Sequence, residues 1–189
     1  MSLLNKTGES EYQFPKFSVE PNSYEAKIID VGDPKEITNT YEGKESTKWS
    51  SIISFELPMK FKDCLKKDID IKKIPEDRIT ENVQLSYFFS LGKIKPGTTK
   101  STATKAYNDM VRIGAVTMKG EAIADECDLV KILVPCNGNE ETEKNVIVDY
   151  LRKKLVGKIA RIATDIDKNG NAKIDKVLVW ALEKVEKAN

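Results

Sequence analysis

Histidine is absent from the 189 residues, which removes the side chain that most often serves as a general base near neutral pH and as a metal ligand. Cysteine is scarce: Cys64, Cys127 and Cys136 are odd in number and show no C-x-x-C spacing. Neither a disulfide framework nor a Cys/His zinc site is expected, and a reducing compartment is. No apolar run approaches the roughly 18 residues of a membrane-spanning helix, and the opening MSLLNKTGESEYQF has no apolar signal core. A cytoplasmic protein without a membrane partner is expected. Nucleophile-elbow, P-loop and dinucleotide fingerprints are missing. Asp125, Glu126 and Asp128 could in principle hold Mg²⁺ for a nuclease, but three neighbouring acids on a polar connection read as surface. No catalytic residue, metal or cofactor is therefore assigned, and the chain is read as a non-enzyme. Charge of one sign is also lacking: Lys and Arg number 31 against 30 Asp and Glu, net +1, so any basic patch must be local.

The strongest pattern present is Leu155 to Leu182, where two runs rich in Ile, Val, Leu and Ala flank Asp167-Lys168-Asn169-Gly170-Asn171. Asn-Gly tolerates the positive φ angles of a tight hairpin turn, which predicts strands over 157–166 and 172–182. Asp165, Asp167 and Asn169 match the first half of a calcium loop, but Lys176 stands where its twelfth-position acid belongs, and the hairpin turn is preferred. Before the hairpin, Val146, Ile147, Tyr150, Leu151 and Leu155 recur at helical spacing over 143–155.

From the start, residues 1–20 read as a partly ordered arm whose Tyr12, Phe14 and Phe17 either cover one end of the fold or grip a partner. A strand is predicted over 23–31, then a long loop over 33–47 with Tyr41 and Lys44 near its tip. In the next strand Trp49, Ser51, Ile53, Phe55 and Leu57 share one face, and Pro58 ends it. Residues 59–80 read as a charge-dense insertion with a helical turn. A third strand over 82–92 turns Val83, Leu85, Tyr87, Phe89 and Leu91 inward and Gln84, Ser86, Phe88 and Ser90 outward. A helix is predicted over 101–114 with a stripe of Ala103, Ala106, Tyr107, Met110 and Val111, ended by Gly114. Residues 129–134 read as a short strand.

Five principal strands with helical material between the third and fourth predict an α+β, mainly β chain: a five-stranded Greek-key OB-fold barrel over 21–189, with insertions at about 59–80 and 93–154. Sequence similarity points the same way. Val19-Glu20-Pro21-Asn22-Ser23-Tyr24-Glu25-Ala26-Lys27-Ile28 resembles the P-x-G-x-Y-x-A-x-I opening of phage and prophage single-stranded DNA-binding proteins, Trp49 to Leu57 resembles their second strand, and Leu155-Val156-Gly157-Lys158 their helix-to-strand junction. Asn22-Ser23 departs from their glycine, and EKVEKAN is not an acidic recruiting tail. The resemblance implies single-stranded DNA as partner, coated during replication or recombination, with proteins of those processes as further partners. Homo-oligomerisation stays open. The alternative is a non-enzymatic protein-interaction or virion structural module on an OB-like barrel.

Single-strand binding needs aromatic faces for bases and cations for phosphates. The aromatic candidates are Phe88, alone among polar residues on the outward face of the third strand, Tyr41 in the long loop, and Trp49. The cations near them are Lys44, Lys48, Lys93 and Lys95, with Arg161, Lys168 and Lys173 on or near the final hairpin.

Overall fold

In β1 (Ser23–Val31) Ala26 and Ile28 are buried two residues apart, but the next buried side chain is Val31, three residues on. A register shift between Ile28 and Asp30 accounts for the extra residue: the bulge turns Asp30 outward and returns Val31 to the core. The computed structural model describes residues 12–41, 44–91, 105–119, 122–124 and 126–182, without the side chains of 39–48, 105–107, 118–119 and 122–123. The chain forms a mainly antiparallel sheet with helices packed on it, an α+β arrangement.

Strand β2 (Lys35–Tyr41) pairs with the first part of β3 (Lys44–Lys60), from Lys35 opposite Ser50 to Tyr41 opposite Lys44. The loop predicted over 33–47 is thus a two-stranded ribbon. Its strands are polar on both sides, so they carry no apolar alternation to announce them. Farther along, β3 pairs with β1 on one edge and with β4 (Asn82–Ser90) on the other. It also runs past Pro58, the predicted end, because a register shift between Glu56 and Lys60 removes the need for an N–H at the proline. The inward faces of β3 and β4 are as read from their alternation: Ser51, Ile53, Phe55, Leu57, Val83, Leu85, Tyr87, Phe89 and Leu91 are all buried.

Strands β5 (Met118–Lys119) and β6 (Ala122–Ile123) pair only with each other, while on the far side of β1 lie β7 (Ile159–Ile166) and then β8 (Ala172–Val179); the main-sheet order is β4-β3-β1-β7-β8, with β2 extending beside β3. The sheet is open, which corrects the expectation of a closed barrel: among the described residues no ladder joins β4 to β8. Side chains fill that seam. Trp180, just past β8, has its ring centroid 5.8 Å from Tyr87, 5.7 Å from Phe89 and 6.1 Å from Phe55. Helix α2 (Lys105–Ile113) crosses the seam, with Asp109 Oδ2 accepting from Tyr87 Oη at 3.0 Å and Arg112 Nη1 donating to the Val177 carbonyl at 3.3 Å. A carbonyl on β8 that a barrel ladder could use is thereby held by a helix side chain.

The preceding insertion holds a helical turn, α1 (Phe61–Cys64), and two 3-10 turns, Ile71–Lys73 and Glu76–Arg78. The arm lies against it: Gln13 N donates to the Lys73 carbonyl, Ser18 N to that of Cys64, and Phe17 meets Phe61 edge to face at 5.2 Å. Phe17 thus covers an end of the core, while Tyr12 and Phe14 stay outside it.

The strand predicted over 129–134 is instead helix α3 (Asp128–Leu133), with Leu129, Val130 and Leu133 buried. A short apolar run has no period of its own, and here the helical faces find α4 (Glu140–Leu155), whose Tyr150 Oη donates to Asp128 Oδ2 of α3 at 2.8 Å. Helix α4 begins earlier than predicted because Asn139 caps it, its Oδ1 accepting from Thr142 N at 3.0 Å. At its other end Gly157, at φ +85°, turns the chain toward β7 while its N–H reaches the Ile28 carbonyl at 2.8 Å. Helix α2 also departs in detail, burying Met110 and Ile113 and leaving Val111 at the surface.

The β7–β8 hairpin forms with a different turn from the predicted Asn-Gly pair. Only Gly170 (φ +73°) has positive φ there, and Asp167 Oδ1 accepts from both Asn169 N and Asn171 N at 2.8 Å. The aspartate organises the turn and the glycine closes it.

Candidate nucleic-acid interface

The outward faces of β3 and β4 form a narrow strip in which Ile52 lies opposite Phe88, Ser54 opposite Ser86 and Glu56 opposite Gln84. Tyr87 and Phe89 are drawn into the core, so strict alternation sends Phe88 outward, where it is 60% exposed. An aromatic ring held on a rigid strand beside small hydroxyl side chains offers a flat apolar surface without a bulky neighbour on its own strand.

A cleft of about 450 Å³ continues the strip. Ser54, Ser86 and Gln84 belong to its sheet wall, and Phe14, Lys16 and Arg78 come from the arm and the insertion. Phe14 is 66% exposed. Arg78 Nε has Asp77 Oδ2 at 3.6 Å, but both side chains are largely in solvent, where such a pair contributes little. Asn171 and Ala172 also border the cleft, and Asn171 Oδ1 is buried with no donor among the described residues. The combination supplies two exposed rings, two cations and hydroxyls along one path.

The predicted site residues are only partly brought together. Phe88 occupies the strip. Trp49 is not on the strip: it shares the inward face of β3 with Ser51 and Ile53, packed against the core with Lys144 Nζ 3.8 Å from its ring centroid. Tyr41, Lys44 and Lys48 are on the β2–β3 ribbon, where Tyr41 pairs with Lys44 and Lys48 with Ile37; their side chains lie outside the described set, as do Lys93 and Lys95 entirely. Arg161 is on the outward face of β7, separated from β4 by β1 and β3, and reaches Glu25 Oε1 at 3.2 Å. Lys173 Nζ is 3.3 Å from Asp165 Oδ2, and the Asp165 carboxyl is held below its usual range, first by the Ile166 backbone N–H and then by Lys173. Lys168 is exposed at the hairpin turn, close in sequence to the cleft-lining Asn171. Sequence reading missed Lys16, Arg78 and the role of Ser54, because their meeting depends on how the arm and insertion fold back over the sheet. Phe14 carried a signal as an aromatic in a polar arm.

Among the described residues no group of three or more Cys, Asp or Glu is placed to hold a metal ion, and no helix is long and apolar enough to cross a membrane. No family model, curated protein or solved structure matches the chain.

Proposed function

We propose that this protein binds single-stranded DNA along the β3–β4 strip and its adjoining cleft, coating the strand stoichiometrically in replication or recombination. The observation that carries the reading is Phe88, 60% exposed on a rigid strand and continuous through Ser86 with a cleft whose other wall presents exposed Phe14. Stacked bases contribute about 1–3 kcal/mol each and need no sequence-specific contact, which suits a coating protein. Lys16 and Arg78 then meet phosphates, while the strip's serines and Gln84 offer hydrogen bonds. Further support comes from the strand order β4-β3-β1-β7-β8 with helical material before β7. That order is like the strand order of a Greek-key OB-fold, with the sheet here left open, and OB-folds bind oligonucleotides on the face that corresponds to β3 and β4.

The test is a titration with oligo-dT at rising salt, read by gel shift and by tryptophan and tyrosine fluorescence, beside duplex DNA and single-stranded RNA. Binding preferential for single strands that weakens steadily with salt is expected, since phosphate contacts release condensed counterions. Silence at low salt overturns the reading in favour of a protein-interaction or virion structural module.

A further inference from the structure

A second cleft, of about 660 Å³, opens at the opposite end of β8. Ala172 borders the first cleft and Val179 this one, about 23 Å apart along a strand rising ~3.3 Å per residue. Its lining brings together Arg112 from α2, Lys153 and Lys154 from the end of α4 and Lys158 from the approach to β7, with no carboxylate among them. In a chain whose charges nearly cancel, with 31 basic and 30 acidic residues, such segregation is a local field of one sign. Two of the four are partly engaged: Lys154 Nζ lies 2.8 Å from Tyr150 Oη and 3.5 Å from Asp128 Oδ2, and Arg112 holds the Val177 carbonyl. Lys153 and Lys158 are exposed and make no ion pair among the described residues. The α4 dipole accounts for lysines in its last turn. It does not account for Lys158, which lies beyond the helix, or for Arg112 on another one.

The remaining wall is apolar. Leu178 and Val179 are 37% and 38% exposed, and the buried Trp180 leaves its Nε1 without an acceptor among the described residues. Two unspent cations and two partly engaged ones beside an apolar shelf match a ligand with clustered negative oxygens and a flat organic body, and the volume lies in the range of small-molecule sites.

We propose that this cleft is a separate site for an oligophosphate ligand of nucleotide size, its phosphates on Lys153, Lys158 and Arg112 and its base against Leu178 and Val179. The site is independent of the strand-binding strip. Calorimetry at low salt with tripolyphosphate and with dTTP, on the intact chain, tests it. Both probes are expected to bind the wild type, and the Lys153→Ala/Lys158→Ala variant to bind them at least tenfold more weakly. A control, Lys67→Ala/Lys72→Ala, removes the same charge from exposed positions elsewhere and should bind as wild type does. Oligo-dT affinity should stay within twofold in the Lys153→Ala/Lys158→Ala variant, while Phe88→Ala should leave tripolyphosphate binding unchanged. Three results overturn the proposal: no binding of either probe, an equal loss in the control, or a parallel loss of oligo-dT affinity, which would make the cleft part of the strand's own path.

Discussion

Lys144 Nζ stands 3.8 Å from the centroid of the Trp49 ring, joining α4 to β3 just where the ribbon leaves the sheet. The lysine is only 9% exposed, and Glu140 Oε2 lies 3.6 Å from the same nitrogen. A buried ammonium needs compensation, and here the ring face and the carboxylate supply it. Trp49 consequently offers a base at most its other face. Lys144→Ala is expected to cost about 1–2 kcal/mol in urea denaturation and to shift Trp49 emission, whereas Lys144→Met, which keeps the stem, should lose less. Unchanged stability in both variants would remove the pairing from the account.

Neighbouring strand positions separate binding from folding at Phe88 and Phe89. Phe88→Ala should weaken oligo-dT binding by about 1–3 kcal/mol with the melting temperature nearly intact. Phe89 is fully buried against Trp180, so Phe89→Ala should cost about 3–5 kcal/mol of stability through the cavity left. An inverted outcome, with Phe88→Ala unfolding the protein, would mean that the face assigned to the ligand belongs to the core.

The seam between β4 and β8 depends on Tyr87, whose hydroxyl donates to the buried Asp109 at 3.0 Å. Its pKa is pushed well above the ordinary tyrosine range, first by burial and then by the Asp109 charge. Tyr87→Phe keeps the ring against Trp180 and removes the donor, so a loss of about 1–3 kcal/mol is expected by chemical denaturation. A change within error would show that this hydrogen bond adds nothing to the hold of α2 on the sheet.

Acid should loosen the hairpin turn through Asp167. Backbone N–H donation, foremost from Asn171, holds its carboxyl below the ordinary 3.8. A group depressed in the folded state contributes stability that is present above the unfolded pKa and is lost as pH falls through the folded one. Wild type should therefore lose more stability than Asp167→Asn between pH 5 and pH 2, roughly the window in which a depressed carboxylate titrates. Urea midpoints across that range measure it; parallel pH profiles would sink the idea.

What the sequence determined by itself was whatever repeats locally. The faces of β1, β3 and β4, the amphipathic face of α4 and the existence of the β7–β8 hairpin follow from side-chain spacing at period 2 or 3.6, and Phe88 was legible because its inward neighbours were. The tertiary structure decided the features for which local spacing carries no term. The ribbon of β2 with β3 carries no apolar alternation in its sequence to pattern it, and the six residues of α3 took the helical state because α4 supplied a surface to pack on. Asp167 replaced the Asn-Gly geometry because its carboxylate had two backbone donors within reach. The seam stayed without a ladder once Trp180, Asp109 and Arg112 filled and bridged it. Both clefts likewise join residues from distant segments, Phe14 and Arg78 to Ser86, Arg112 to Lys158. Their chemistry depends on separations in space, and those are set only when the whole chain has packed.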